Sequence, residues 1–222
     1  MTKKILICSG KGGVGKTTVA VELANSLEEK GFKIGLVDAD IDGPNIPEFT
    51  NIHQEVSIGE KIKPIIRNNM EIISLGFMIQ DTDFVAWPSD RRAMAVQQLV
   101  ENIDWSNDLD YMVIDTPPGT SDEVEYVAGY FKPEYVFVIS TPHDASISDV
   151  KRTIGMLNNF KSKIKGIVFN MCVIKCPKCG EIVYSKEVPD SIMDIPVIAK
   201  LPYSTERIDV SEIVDIILED RL

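Results

Sequence analysis

The stretch "GKGGVGKT", Gly10 to Thr17, constrains this chain more than any other. It fits the spacing G-x-x-x-x-G-K-[ST] and lies between an apolar run, Ile5 to Cys8, and a helix-like segment, Lys16 to Glu29. Glycines at that spacing let the backbone fold around an anion, so that its N–H groups and the start of the next helix point at phosphate oxygens. A strand, a tight loop and a helix in that order form the first half of a β–α–β unit, and the remaining chain must then supply parallel strands beside the first.

Apolar runs with β-branched residues do recur, at Ile34 to Val37, Ile72 to Leu75, Tyr111 to Ile114, Val136 to Ile139, Ile164 to Phe169 and Val197 to Ala199. Helical patterns fall between them, roughly Asp90 to Ile103, Asp122 to Tyr130, Ser148 to Phe160 and Ser204 to Leu218. This alternation predicts an α/β fold, a mostly parallel twisted sheet with helices on both faces. The 222 residues suffice for one nucleotide-binding domain over 1–222, with the cysteine-bearing stretch near 171–190 as an insertion. Residues 51–69 read as irregular or as short strands.

Ligands of such sheets sit at the carboxyl ends of the strands, and the informative residues fall there. In the glycine loop, Gly10, Lys11, Gly12, Gly13, Val14, Gly15, Lys16, Thr17 and Thr18 are expected to cradle ATP. Lys16 neutralises the β and γ phosphates and the Thr17 hydroxyl ligates Mg²⁺. Asp115 closes the run "YMVID" and is expected to hold the same Mg²⁺; Gly119, in "TPPGTSD", brings a backbone N–H toward the γ-phosphate. The cluster "VDADIDGPNIP" offers Asp38, Asp40 and Asp42. Asp38, nearest the strand end, is the expected residue for orienting the attacking water, and Asp42 is expected to be solvated.

Formal charge is −11, and no basic run interrupts it, which argues against nucleic acid or an anionic membrane as partner. No run of about 18 apolar residues is present, and the chain opens without a signal-peptide pattern, so a cytoplasmic protein is expected. Four cysteines are too few for a disulfide framework there. Cys8 reads as a core thiol. Cys176 and Cys179, in "CPKCGE", form a Cys-x-x-Cys pair, which is half of a four-ligand zinc or iron–sulfur site. Cys172 precedes them in a C-x₃-C-x₂-C run that is read as coincidental. His53 and His143 read as surface or capping residues.

Lys11 directly after the first glycine makes "GKGGVGKTT" more specific than a generic phosphate loop. It resembles the deviant Walker A of the MinD/ParA/nitrogenase-iron-protein superfamily, whose members dimerise around ATP. The resemblance implies that Lys11 reaches across a homodimer to the other copy's nucleotide. Within that superfamily, "VDADIDGPNIP", "DYMVIDTPPGTSDE", "STPHDASISDVKR", "GIVFNM" with "CPKCGE", and "IPVIAKLP" are together similar to the Mrp/ApbC group of iron–sulfur cluster carrier ATPases. The likeness runs over nearly the whole chain. It departs at Ser121, at His143 and in "WPSDRRAM".

By that resemblance Asn170 reads the adenine base, with "KLP" up to Pro202 on its other side. Cys176 and Cys179 of two copies then supply four thiolates to a bridging [4Fe-4S] cluster, with zinc as the alternative, and apo iron–sulfur proteins receive the cluster. The competing reading is a MinD/ParA-like positioning ATPase with a structural zinc knuckle. A reductase like the nitrogenase iron protein is discounted because no cysteine lies between Asp115 and Cys172.

Overall fold

The structure is a computed structural model in which residues 1–54, 56, 60–78, 94–98, 101–176, 178–204 and 207–219 are described. The first strand β1 (Lys3–Ser9) leads through the glycine loop into α1 (Lys16–Glu29), followed by β2 (Ile34–Asp38) and a short helix α2 (Ile46–Thr50). A hairpin of β3 (Ile65–Arg67) and β4 (Met70–Ile73) comes next, then α3 over residues 94–98 and β5 (Tyr111–Asp115). Helix α4 (Asp122–Tyr126) passes into a π-helical turn at Val127–Phe131. After it come β6 (Tyr135–Ser140), α5 (Asp144–Asn159), β7 (Ile164–Lys175), β8 (Ile182–Ser185), β9 (Ser191–Ile192), β10 (Ile195–Pro202) and α6 (Ser211–Glu219).

The strands form one sheet in the order β3-β4-β2-β5-β1-β6-β7-β10-β9, with β8 paired to β7. Its centre is parallel from β4 to β10, as the alternation of elements predicts; the antiparallel pairs are β3/β4, β9/β10 and β7/β8. Parallel strands are covered on both faces, which is why their sequences read as unbroken apolar runs. The alternation in β1 divides the core. Ile5 and Ile7 join a cluster with Leu23 and Leu27 of α1 and Ile213 of α6, whereas Leu6 and Cys8 join one with Val124 of α4 and Ile154 of α5. All of these are fully buried, so truncating any of them to alanine should cost about 2–5 kcal/mol.

Element boundaries moved where tertiary pairing outweighs local pattern. Helix α5 starts at Asp144, four residues before the expected Ser148, because the His143 side chain accepts the Ala145 N–H and caps it there. Helix α6 begins at Ser211, not Ser204. Strand β7 runs six residues past the expected Phe169, since β8 and β10 pair with its extension. The described residues between 51 and 64 are irregular and lead into the short strand β3. Arg91 and Arg92, expected at a helix start, lie outside the described residues, as does most of "WPSDRRAM"; Val96 of α3 is buried in the second cluster. Among the described residues no helix is long and apolar enough to cross a membrane.

Candidate nucleotide and thiol sites

β1, β5 and β2 end together. Parallel register pairs Ile7 with Asp115 and Asp115 with Asp38, so the glycine loop and two carboxylates meet at one edge of the sheet. The loop encloses a cavity of about 360 Å³ lined by Lys11, Gly12, Gly13, Val14, Gly15, Lys16, Thr17 and Thr18. Two glycines show why the loop needs them. A Cβ on Gly10 would lie 2.6 Å from the Asp149 backbone of α5. Gly15 has φ 83°, and a Cβ there would lie 2.2 Å from Asn170 Nδ2. Gly15 also caps α1 without a side chain, leaving the first-turn N–H groups facing an anion site.

Lys16 is buried, with Nζ 2.7 Å from Asp115 Oδ1. Thr17 Oγ1 donates to Asp115 Oδ2 at 2.6 Å. The three residues expected at phosphate and Mg²⁺ are thus in mutual contact, and the hydroxyl and carboxylate oxygens are the hard donors that suit Mg²⁺. Lys11 is exposed at the cavity rim.

Asp38 is held at the end of β2 by three donors. It is buried and does not line the cavity: Oδ1 accepts from the Asp40 N–H at 3.2 Å, and Oδ2 from the Ile46 N–H at 3.1 Å and the Ser74 hydroxyl at 2.9 Å. Burial, then the neighbouring Asp115 charge, pushes its carboxyl up to about 7. Asp38 therefore holds the loop that carries Asp40, and Asp40 is the carboxylate at the cavity wall. Burial pushes the Asp40 carboxyl up, against the opposing pull of Lys16. Asp42 is exposed, as expected. Sequence reading offered Asp40 beside Asp38 and favoured Asp38 for its strand-end position; only side-chain direction separates residues two apart on a loop.

Gly119 has φ 89°, and its N–H donates to the Ser9 carbonyl at 2.7 Å, so that donor is engaged within the protein here. Asn170 and Pro202 do not line the cavity. Asn170 is buried behind the loop, with Nδ2 donating to the Val14 carbonyl at 3.0 Å and Oδ1 accepting the Met171 N–H at 2.9 Å. Met171, Asn45, Phe49 and Pro118 line the cavity instead, and none carries a sequence signal for it.

Beyond Met171 the extended β7 ends in the thiol turn. The Cys176 N–H donates to the Glu181 carbonyl, the Gly180 N–H to the Cys176 carbonyl, and Gly180 has φ 75°. Hydrogen bonds from the Cys179 and Lys178 N–H groups, then from the Cys179 thiol, draw the Cys176 thiol below its usual value. Such donors favour the thiolate form of Cys176, the form that binds a metal. Cys179 is exposed and Cys176 half-buried. Among the described residues no three His, Cys, Asp or Glu side chains converge on a metal position. Cys8 and Cys172 are buried, and burial pushes their thiols up to about 12 and about 11. The Cys172 thiol faces the Phe169 carbonyl at 3.3 Å. Around the turn, Ile174, Ile182, Val183 and Tyr184 leave apolar surface exposed.

Fold and cavity together define a P-loop NTPase, here with a paired-thiol turn on the strand beside its phosphate loop. The chain belongs to the NUBPL iron-transfer P-loop NTPases of the ParA class, whose family model matches residues 1–219. It is 38% identical over 186 residues to the cytosolic Fe-S cluster assembly factor Nubp2 homolog of Aedes aegypti, covering 80% of this chain and 71% of that one. It is 36% identical over 202 residues to the iron-sulfur cluster carrier protein of Rickettsia typhi, covering 90% of this chain and 61% of that one. Among solved structures, a nucleotide-binding protein from Archaeoglobus fulgidus in complex with ADP superposes with a TM-score of 0.72 at 28% identity, over 97% of this chain and 86% of that one. These relatives favour the iron–sulfur carrier reading over the positioning-ATPase alternative.

Proposed function

We propose that this protein is an ATP-dependent iron–sulfur cluster carrier. Two copies hold a labile [4Fe-4S] cluster between their Cys176/Cys179 pairs and hand it to apo iron–sulfur proteins. The observation that carries the reading is the thiol turn itself: two cysteines, of which Cys176 receives backbone N–H groups, stand at the end of the strand that passes behind the phosphate loop. A homodimer completes the ligand set, because a twofold axis turns two thiolates into four. The apolar residues flanking the turn supply surface for that contact. Zinc shares this ligand chemistry and is the competing occupant.

In the ATPase, Lys16 leaves Asp115 to meet the β and γ phosphates, and Thr17 and Asp115 hold Mg²⁺. Asp40 orients the water that attacks the γ-phosphorus as the bond to the bridging oxygen breaks. Lys11 is exposed at the rim, which supports the reach to the second copy's nucleotide that the family resemblance implies. Asn170, which keeps one amide N–H and one oxygen lone pair beyond those used on Val14 and Met171, and Pro202 bound the base site. The relative from Aedes aegypti is named as cytosolic, which supports the same setting here.

The test is reconstitution with iron and sulfide without oxygen, read as metal, sulfide and mass, beside a Cys176→Ser/Cys179→Ser variant. About four irons and four sulfides per dimer, lost in the variant, is the expected result. Zinc alone, or cluster retained by the variant, rejects the carrier reading.

A further inference from the structure

Asn170 ties the phosphate loop to β7 in two ways. Its Nδ2 donates to the Val14 carbonyl at 3.0 Å, and the same nitrogen occupies the space where a Gly15 side chain would stand. Displacement of the loop therefore has to displace this part of β7, since the contact is buried and close-packed. The next residue, Met171, lines the nucleotide cavity and has φ 60°, a left-handed backbone that costs a residue with a Cβ about 1–2 kcal/mol. Strain of that size persists where surrounding contacts impose it.

After Phe169 the strand loses β6 but keeps β10, whose Pro202 pairs with Val173. β6 reaches only as far as Phe169, and from Cys172 onward β7 is held by other partners. The Cys172 carbonyl accepts the Lys186 N–H, the Val173 carbonyl accepts the Tyr203 N–H, and Ile174 pairs with Tyr184. The Cys176 N–H closes the ladder on Glu181. Six residues of extended chain from Asn170 to Cys176 span roughly 20 Å at about 3.3 Å each. The cavity and the thiol turn are thus ends of one paired strand, with a left-handed joint next to the loop. A rotation at that joint moves the turn together with β8, which is paired to it, against the end of β10.

We propose that Asn170 and Met171 are positioning residues that couple nucleotide occupancy of the phosphate loop to the geometry of the Cys176/Cys179 turn, an inference that rests on the cluster-carrier reading for its purpose. Nucleotide binding shifts the Val14–Gly15 segment, Asn170 carries the shift into β7, and Met171 converts it into a reorientation of the thiol arm. Reciprocity follows: occupation of the thiols changes nucleotide affinity by the same factor. A second route could run through Lys186, whose ammonium lies 3.0 Å from Asp144 at the start of α5. That pair is exposed, so its coupling is weak.

The test measures iodoacetamide alkylation of Cys176 and Cys179, residue by residue, in metal-free full-length protein with and without saturating ADP. Protein is diluted until sedimentation gives the same mass in both states, so that subunit association is not the source of a change. The wild-type rate at Cys176 should change about fivefold or more with ADP. Asn170→Ala or Met171→Gly should reduce this response to below about 1.5-fold, and Lys186→Ala should retain it. Saturation is verified for each variant by the ADP-induced rise in Tm, and a response lost together with that rise counts against the proposal. No response in the wild type, or a full response in both Asn170→Ala and Met171→Gly, overturns it. Iron and sulfide content after reconstitution is measured separately; a chain that binds no iron loses the carrier reading, while the alkylation response still decides the coupling.

Discussion

The ammonium of Lys16 and the carboxylate of Asp115, 99 residues apart in sequence, form a buried ion pair at 2.7 Å, and Thr17 bonds the second Asp115 oxygen. Asp38 stands beside Asp115 in register. The site thus sets two buried carboxylates against one lysine.

Lys16→Met should remove the cation from this balance. Breaking a buried pair from one side leaves an uncompensated charge, so stability should fall by about 3–5 kcal/mol as well as ATP hydrolysis being lost. Urea unfolding of the single variants and of Lys16→Met/Asp115→Leu checks this. The double variant should recover much of the loss, because it buries no charge.

Asp40 and Asp38 should separate by phenotype. Asp40→Asn is expected to lower the hydrolysis rate by about 10²-fold or more, with ADP still raising Tm, since Asp40 lines the cavity. Ser74→Ala removes one donor to Asp38 and should cost about 1–3 kcal/mol of stability with a smaller loss of rate. Steady-state kinetics beside thermal unfolding distinguishes them, and equal losses in both variants would argue against the assignment of Asp40.

The pH dependence of stability should carry the mark of Asp38. Its carboxyl is pushed up to about 7, above the value of about 3.8 in an unfolded chain, so the folded state binds the extra proton between these values. Its contribution is complete below about pH 4 and is lost as pH rises through 7. Between pH 5 and 8 the fall of Tm in the nucleotide-free protein should therefore be steeper in the wild type than in Asp38→Asn. Parallel slopes would contradict it.

Thiol chemistry should divide the four cysteines into two pairs. Cys176 is drawn down by N–H donors, and Cys179 is exposed, whereas burial raises Cys8 and Cys172. At pH 7 two thiols per chain should react rapidly with a disulfide reagent, Cys176 ahead of a free thiol, and two only after denaturation. A third fast thiol in the native protein would contradict the burial of Cys172.

Gly15→Ala should damage the phosphate loop beyond the cost of one methyl group. The added Cβ meets Asn170 Nδ2 at 2.2 Å and the backbone is left-handed, so strain and overpacking add, about 2–4 kcal/mol together. Loss of ADP binding by calorimetry is the expected readout.

Local pattern carried a large part of this molecule. The glycine loop, the ends of α1 and the cores of β1, β2, β5 and β6 follow from spacing and period, because a parallel strand buried on both faces must be apolar throughout. That Lys16, Thr17 and Asp115 share a site follows from the rule that such sheets gather their loops at the carboxyl ends of the strands. Direction at short range did not follow. Asp38 and Asp40 differ by two positions, and only the fold turns one onto Ser74 and the other into the cavity. Asn170 reads in sequence as a base-recognising residue, and only the fold shows that one of its amide N–H groups also ties it to Val14 of the phosphate loop. The six-residue extension of β7, which sets the thiol turn on an arm leading from the nucleotide cavity, depends on β8 and β10 pairing with it. Strand length is decided by partners distant in sequence. Residue types therefore declared the chemistry, while long-range pairing alone decided which groups face the nucleotide and how the cysteines are joined to it.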